Sequence, residues 1–113
     1  MIILNQSKNI ILANQVKIAD TVLTRMTGLL KHSQLIKNEA LVIMGCNSIH
    51  MFFMKFAIDV IFVNKLNQVV GLVENIKPNR LSKIYWKASS AIELPAGIIS
   101  STKTEIGDKI NFQ

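Results

Sequence analysis

A chain of 113 residues is the length of one domain and at that size buries roughly two thirds of the surface its unfolded form exposes, so residues 1–113 are expected to fold as a single domain. Half of the residues are apolar, isoleucine foremost, and only 6% are aromatic, which excludes a disordered chain and favours strands over long helices. The net charge of +6, from eleven lysines and two arginines against seven acids, either follows from a composition rich in lysine, isoleucine and asparagine or serves an anionic partner.

Residues 2–4 and 10–12 are short apolar runs separated by the polar stretch Asn5-Gln6-Ser7-Lys8-Asn9, and a third run follows Ala13-Asn14. In that third run Val16 and Ile18 alternate with Lys17, the period of a half-buried strand. The three runs predict a strand meander. From Asp20 the period changes: Ala19, Val22, Leu23, Met26, Leu29 and Leu30 fall on one side of a 3.6-residue helix, with Asp20 as N-cap. Arg25 sits at the edge of that apolar stripe, where its stem packs while its guanidinium reaches toward a sheet. Gly28 inside the helix marks a close backbone approach or a helix ending near Lys31.

Residues 40–44 and 58–63 predict strands, the second central to a sheet because residues 60–63 are apolar without interruption. Asn64-Lys65-Leu66-Asn67 reads as a hairpin connection to a strand over residues 69–74. Residues 75–87, which contain Pro78, read as a long polar loop. Residues 91–94 return to strand before Pro95-Ala96-Gly97, and Gly107-Asp108 turns the chain into a last strand at residues 110–112. The expected product is a mainly β (α+β) domain: a compact, antiparallel, barrel-like sheet with one helix packed against it.

Residues 1–9 hold no basic start followed by a long apolar run, so a signal peptide is not expected. No apolar run approaches the roughly 20 residues that cross a bilayer as a helix. A lone cysteine cannot form an internal disulfide, which fits a reducing compartment. A cytoplasmic protein is the expectation.

The reactive groups concentrate in Gly45-Cys46-Asn47-Ser48-Ile49-His50-Met51-Phe52-Phe53-Met54-Lys55-Phe56-Ala57-Ile58-Asp59. Cys46 and His50 would lie about 13 Å apart in an extended strand, far from the ligand bonds of a shared zinc. With no second Cys/His pair nearby and His32 the sole other imidazole, neither a metal nor a cofactor is expected. Cys46 is a possible nucleophile if an imidazole reaches it, and otherwise a small buried side chain. His50 and Asp59 are polar groups in a segment built for burial, and a buried carboxylate demands partners. Lys55, Arg25 and Arg80 are the nearby cations. Asp59 is then either an anchor that pins the helix to the sheet or, with His50, part of a pocket for a polar ligand. Residues 75–92 contain no acid, and the basic loop there carries Lys77, Arg80, Lys83 and Lys87 beside Tyr85 and Trp86. Such a loop is either a solvated connection or a grip for nucleic acid or an acidic protein.

Several separated blocks resemble the family of small bacterial and archaeal proteins known as domain of unknown function 192. They are residues 16–21, Arg25, Gly28-Leu29-Leu30, residues 46–62, Glu93-Leu94-Pro95-Ala96-Gly97 and Gly107-Asp108. The resemblance implies a compact, mostly antiparallel, barrel-like β domain with a helix against it. It also implies a polar cluster of Arg25, Ser48, His50, Met54, Asp59 and Glu93, without naming a substrate. The chain departs from the family pattern in its central motif, where it has phenylalanine and Ala57 in place of a frequent tryptophan and proline.

Three functions are consistent with these residues. The first is binding of a small polar ligand in a pocket near Ser48-Ile49-His50 and Ile58-Asp59. The second is catalysis, with His50 as general base oriented by Asp59 and Ser48 or Cys46 as nucleophile. The third is recognition of nucleic acid or an acidic protein by residues 77–87.

Overall fold

The computed structural model describes residues 1–19, 35–52 and 54–113. Among them eight strands form two sheets. Strands β1 (Ile3–Asn5), β2 (Ile10–Ala13) and β8 (Ile110–Phe112) make a three-stranded sheet in the order β2-β1-β8. Strands β3 (Gln15–Ala19), β4 (Glu39–Met44), β5 (Ile58–Val63), β6 (Val69–Ile76) and β7 (Ser90–Pro95) make a five-stranded sheet in the order β3-β4-β7-β5-β6. The predicted runs thus recur as strands. The predicted helix from Asp20 to about Lys31, Arg25 included, lies outside the described residues.

Two expectations need correction. The sheet is not a barrel: it is split in two, and among the described residues the start of β6 meets the small sheet through the isolated bridge Gln68↔Lys109 and the main-chain bonds that flank it, from Val69 to Asp108, Gly107 to Val69 and Ile110 to Asn67. Closure needs a continuous ladder between the last edges. Here β1 and β8 are three residues long, so the contact stays a single bridge with a few flanking bonds and does not extend into a ladder. Nor is the large sheet wholly antiparallel, because β3 and β4 pair parallel, Gln15 with Glu39 through Ala19 with Ile43. A parallel neighbour requires the intervening chain to travel back along the sheet, a long-range demand that no local period records. Ile18, expected inside, is exposed.

The large sheet has two apolar faces, which is why β5 and β7 read as nearly continuous apolar runs. One face turns Val42, Ile61, Val63, Ile92 and Leu94 toward Ile3, Leu12 and Ile110 of the small sheet and Ile99 of a short helix, Ile98–Thr102. The other turns Leu41, Ile43, Ile58, Val60, Phe62 and Ala91 toward Ile49 and Met51, with Met54, Phe56 and Tyr85 packed alongside. Asparagine supplies much of the turning. Asn9, Asn38, Asn67, Asn75 and Asn79 all have positive φ, a conformation asparagine tolerates better than other L residues. At the β5–β6 turn the Asn64 side chain also accepts the amides of Leu66 and Gln68 at 2.9 and 3.0 Å.

Candidate functional site

Strand β5 alternates strictly, so Asp59 faces opposite to Ile58, Val60 and Phe62 and lies beside Leu94 in register, on the side of the small sheet. It is fully buried. Among the described residues, main-chain amides hold it, and neither Lys55 nor Arg80 does. Oδ1 accepts the Asn75 amide at 2.8 Å, and Oδ2 accepts the Gly97 and Ile99 amides at 3.0 and 2.9 Å. The directions of these donors have local causes. Between Val60↔Val73 and Ile58↔Ile76 strand β6 spends one residue more than β5, a bulge that carries Asn75 at φ 52° and turns its amide inward. The short helix starts at Gly97, which has no side chain to cap it, so Asp59 reaches across from the sheet to take the Ile99 amide. Asp59 therefore ties a sheet, a bulge and a helix start together, and none of its bonds goes to His50.

On the opposite face two loops cross. Met51 donates its amide to the Arg80 carbonyl at 2.8 Å, Ser82 to Ile49 at 2.9 Å and Tyr85 to Asn47 at 2.8 Å, while His50 and Leu81 form an antiparallel bridge. The result is a two-stranded ribbon lying over the large sheet. Its alternation buries Ile49 and Met51 and leaves His50 and Phe52 in solvent, with their rings 5.3 Å apart. Ser48 is also exposed, Met54 is half-buried against the core, and Cys46 donates its thiol to the Ser48 carbonyl at 3.0 Å. The ribbon is fastened by Tyr85, whose ring stacks on Phe62 at 4.5 Å and lies over Gly71. A Cβ at Gly71 would come 2.3 Å from the Tyr85 ring, so the glycine creates the seat for the aromatic.

Glu93 lies beneath this layer. It sits on the middle strand β7, in register with Leu41 on one side and Val60 on the other, both on the ribbon-covered face. Only 6% of it is exposed. Among the described residues no group bonds its carboxyl, and burial alone pushes its pKa up to about 8. An acid amid the apolar Ala91, Ile92 and Leu94 was the available sequence signal; its isolation depends on tertiary pairing.

The structure thus brings Glu93 and Met54 to one face of the sheet, places Ser48 and His50 on the loops that cover that face, and puts Asp59 behind the sheet. Arg25 lies outside the described residues. Lys77, Arg80, Lys83 and Lys87 are all exposed, with the Lys83 ammonium 5.2 Å from the centre of the Tyr85 ring. Among the described residues no three His, Cys, Asp or Glu side chains could hold a metal ion, and no helix is long and apolar enough to cross a membrane.

Sequence reasoning missed a second polar cluster. Asn5, buried in β1, donates to the Thr104 hydroxyl at 3.0 Å and the Asp108 carboxylate at 2.9 Å, and accepts the Lys8 amide at 3.0 Å. Lys8 adds ion pairs to Glu105 and Asp108. Burial pushes the Asp108 carboxyl up, but the bonds from Asn5, the Glu105 amide and Lys8 outweigh it and hold its pKa below the usual aspartate value. This cluster joins residues about a hundred apart, a distance no motif spans.

The comparisons agree with this architecture. A UPF0127 protein of Pyrococcus horikoshii is 38% identical over 113 residues, covering 97% of each chain. A UPF0127 protein of Thermococcus sibiricus is 37% identical over 117 residues, covering 98% of this chain and 74% of its own. A crystal structure of a protein of unknown function from Novosphingobium aromaticivorans superposes with a TM-score of 0.83 at 17% identity, covering 98% of this chain and 82% of that one, which speaks to the fold alone. The family described as "Uncharacterized ACR, COG1430" matches residues 2–112, and the chain belongs to it, the domain of unknown function 192 family.

Proposed function

We propose that this chain is a small ligand-binding domain whose ligand brings a cationic or hydrogen-bond-donating group to the Glu93 carboxyl, under the layer formed by residues 46–52, 54–57 and 77–88. The observation that carries the reading is a buried acid on the middle strand with no bonded group among the described residues. A carboxyl in that position costs the fold stability that an apolar side chain would not. Residues that a fold keeps at such a cost are commonly functional. Met54 packs in the same layer, and Ser48 and His50 stand on its outer loops as groups that could orient a polar ligand at entry. The catalytic reading has less support, because Asp59 spends its oxygens on main-chain amides and leaves His50 without that orienting partner.

The test is thermal unfolding of the parent and Glu93→Gln proteins with ethanolamine, putrescine and agmatine, and with uncharged alcohols as controls, at pH 6 and pH 8.5. Binding raises the melting temperature. The expected result is a rise for one or more of the cations in the parent, larger at pH 8.5 where the carboxyl has released its proton, and absent in Glu93→Gln. Equal shifts in both proteins, or no shift with any of them, would sink the reading.

A further inference from the structure

We propose that the outer face of the ribbon is a binding platform for single-stranded nucleic acid, a role separate from the Glu93 site. Trp86 is 80% exposed and Leu81 66%, and Phe52 and Ile84 are exposed beside them. Four large apolar side chains in solvent on two crossing loops are more than scattered surface residues. His50 lies against Phe52, so three flat rings, Phe52, His50 and Trp86, are offered on this layer. Around them stand the exposed cations Lys55, Lys77, Arg80, Lys83 and Lys87. In sequence, residues 45–58 and 75–92, whose described members carry the platform, contain no aspartate or glutamate.

That charge pattern selects the occupant. A second copy of the chain would bring its own net charge of +6 against the same cations, and like-charged faces repel. A polyanion is attracted instead. Exposed flat rings among the cations narrow the choice further, because stacking needs unpaired bases whose faces are open, whereas a duplex hides them. The platform is also rigid enough to use. Main-chain bonds tie residues 47–51 to residues 79–85, and Tyr85 fixes the ribbon to Phe62 and Gly71.

Trp86 is the sole tryptophan of the chain, so its fluorescence reports on this surface alone. The experiment titrates the full chain with twelve-residue oligo-dT and oligo-rU in 50 mM to 300 mM NaCl. The expected result is quenching of Trp86 emission at low salt, with a log–log salt slope of about −2 to −3.5 for three to five phosphate contacts on a single strand. Lys83→Glu/Lys87→Glu should weaken binding about tenfold or more. Trp86→Ala, followed by anisotropy of labelled oligonucleotide, should weaken it about fivefold to a hundredfold. Glu93→Gln should leave it unchanged, which keeps this outcome distinct from that of the ligand site. Absence of quenching, equal quenching by poly-glutamate, or equal affinity for a duplex of the same length would each overturn the proposal. The second outcome would identify an acidic-protein surface.

Discussion

Asp59 and Glu93 are both buried carboxyl groups on neighbouring strands of one sheet, and their surroundings are opposite. Asp59 accepts three amides, so its removal leaves three donors without their acceptor, that of Ile99 in the interior and those of Asn75 and Gly97 half-buried. Asp59→Ala is expected to cost about 3–5 kcal/mol in urea unfolding, and Asp59→Asn, which keeps one acceptor, about 2 kcal/mol. Glu93 accepts nothing among the described residues, so Glu93→Leu is expected to stabilise the protein by about 1–3 kcal/mol at pH 8 and above. The pH dependence has a definite sign. The folded-state pKa of Glu93 is raised from 4.5 to about 8, so the native state holds a proton that the unfolded chain releases. Its contribution is complete below pH 4.5 and is lost as pH rises toward 8, by up to about 1.4 kcal/mol per pH unit. In Glu93→Gln that decline should vanish from the urea midpoint measured across the same range. The sequence made it legible that Asp59, at the head of an apolar run, had to be partnered. It did not say by what, because the amides that hold Asp59 are aimed by a bulge at Asn75 and a helix start at Gly97, and neither has a side-chain signature.

At the scale of elements, the seat of Tyr85 shows how a single missing side chain sets the position of a loop. Gly71→Ala would push a methyl group into the Tyr85 ring and is expected to cost about 1–3 kcal/mol by overpacking. Tyr85→Ala should absorb much of that cost. A double-mutant cycle by urea unfolding should therefore give a coupling of at least 0.5 kcal/mol between the two sites, and strict additivity would contradict the packing described. The long strands were legible from their apolar runs and from the turn residues between them. The short helix Ile98–Thr102 was not, because Ile-Ile-Ser-Ser-Thr is a poor helix former and is held in place by Asp59 from another element. The ribbon was hidden for a related reason: residues 46–52 and 79–85 pair across about thirty positions, and no local period in either segment records that pairing.

Over the whole molecule, pairing between sheets decided what the sequence could not convey. Strand periods were compatible with a barrel, but whether edges meet depends on strand length and on where turns fall, and the parallel β3–β4 pair adds a long-range constraint. Both sheets share one core, and the Asn5–Thr104–Asp108 cluster clamps the small sheet to the turn before β8. Asn5→Ala would leave Thr104 and Asp108 short of a buried donor and is expected to cost about 1–3 kcal/mol. Because the Asp108 pKa is lowered, its contribution is present above the ordinary aspartate pKa and is lost as pH falls through the lowered value. Together with Glu93 this places the joint maximum of the two contributions between the ordinary aspartate and glutamate pKa values, 3.8 and 4.5. Urea midpoints of the parent, Glu93→Gln and Asp108→Asn proteins should show the two limbs flattening separately.

The pairing of β1 with β8 bears on how the chain is made. Ile3, Leu4 and Asn5 pair on one edge with β2 close by, but on the other with Phe112, Asn111 and Ile110, so during synthesis that second edge waits until residues 110–112 have left the ribosome. Until then, Ile61, Val63, Ile92 and Leu94 on one face of the large sheet lack their full apolar cover. The growing chain must therefore carry exposed hydrophobic surface until residues 110–112 are made and in place, the state in which holding chaperones act and aggregation competes.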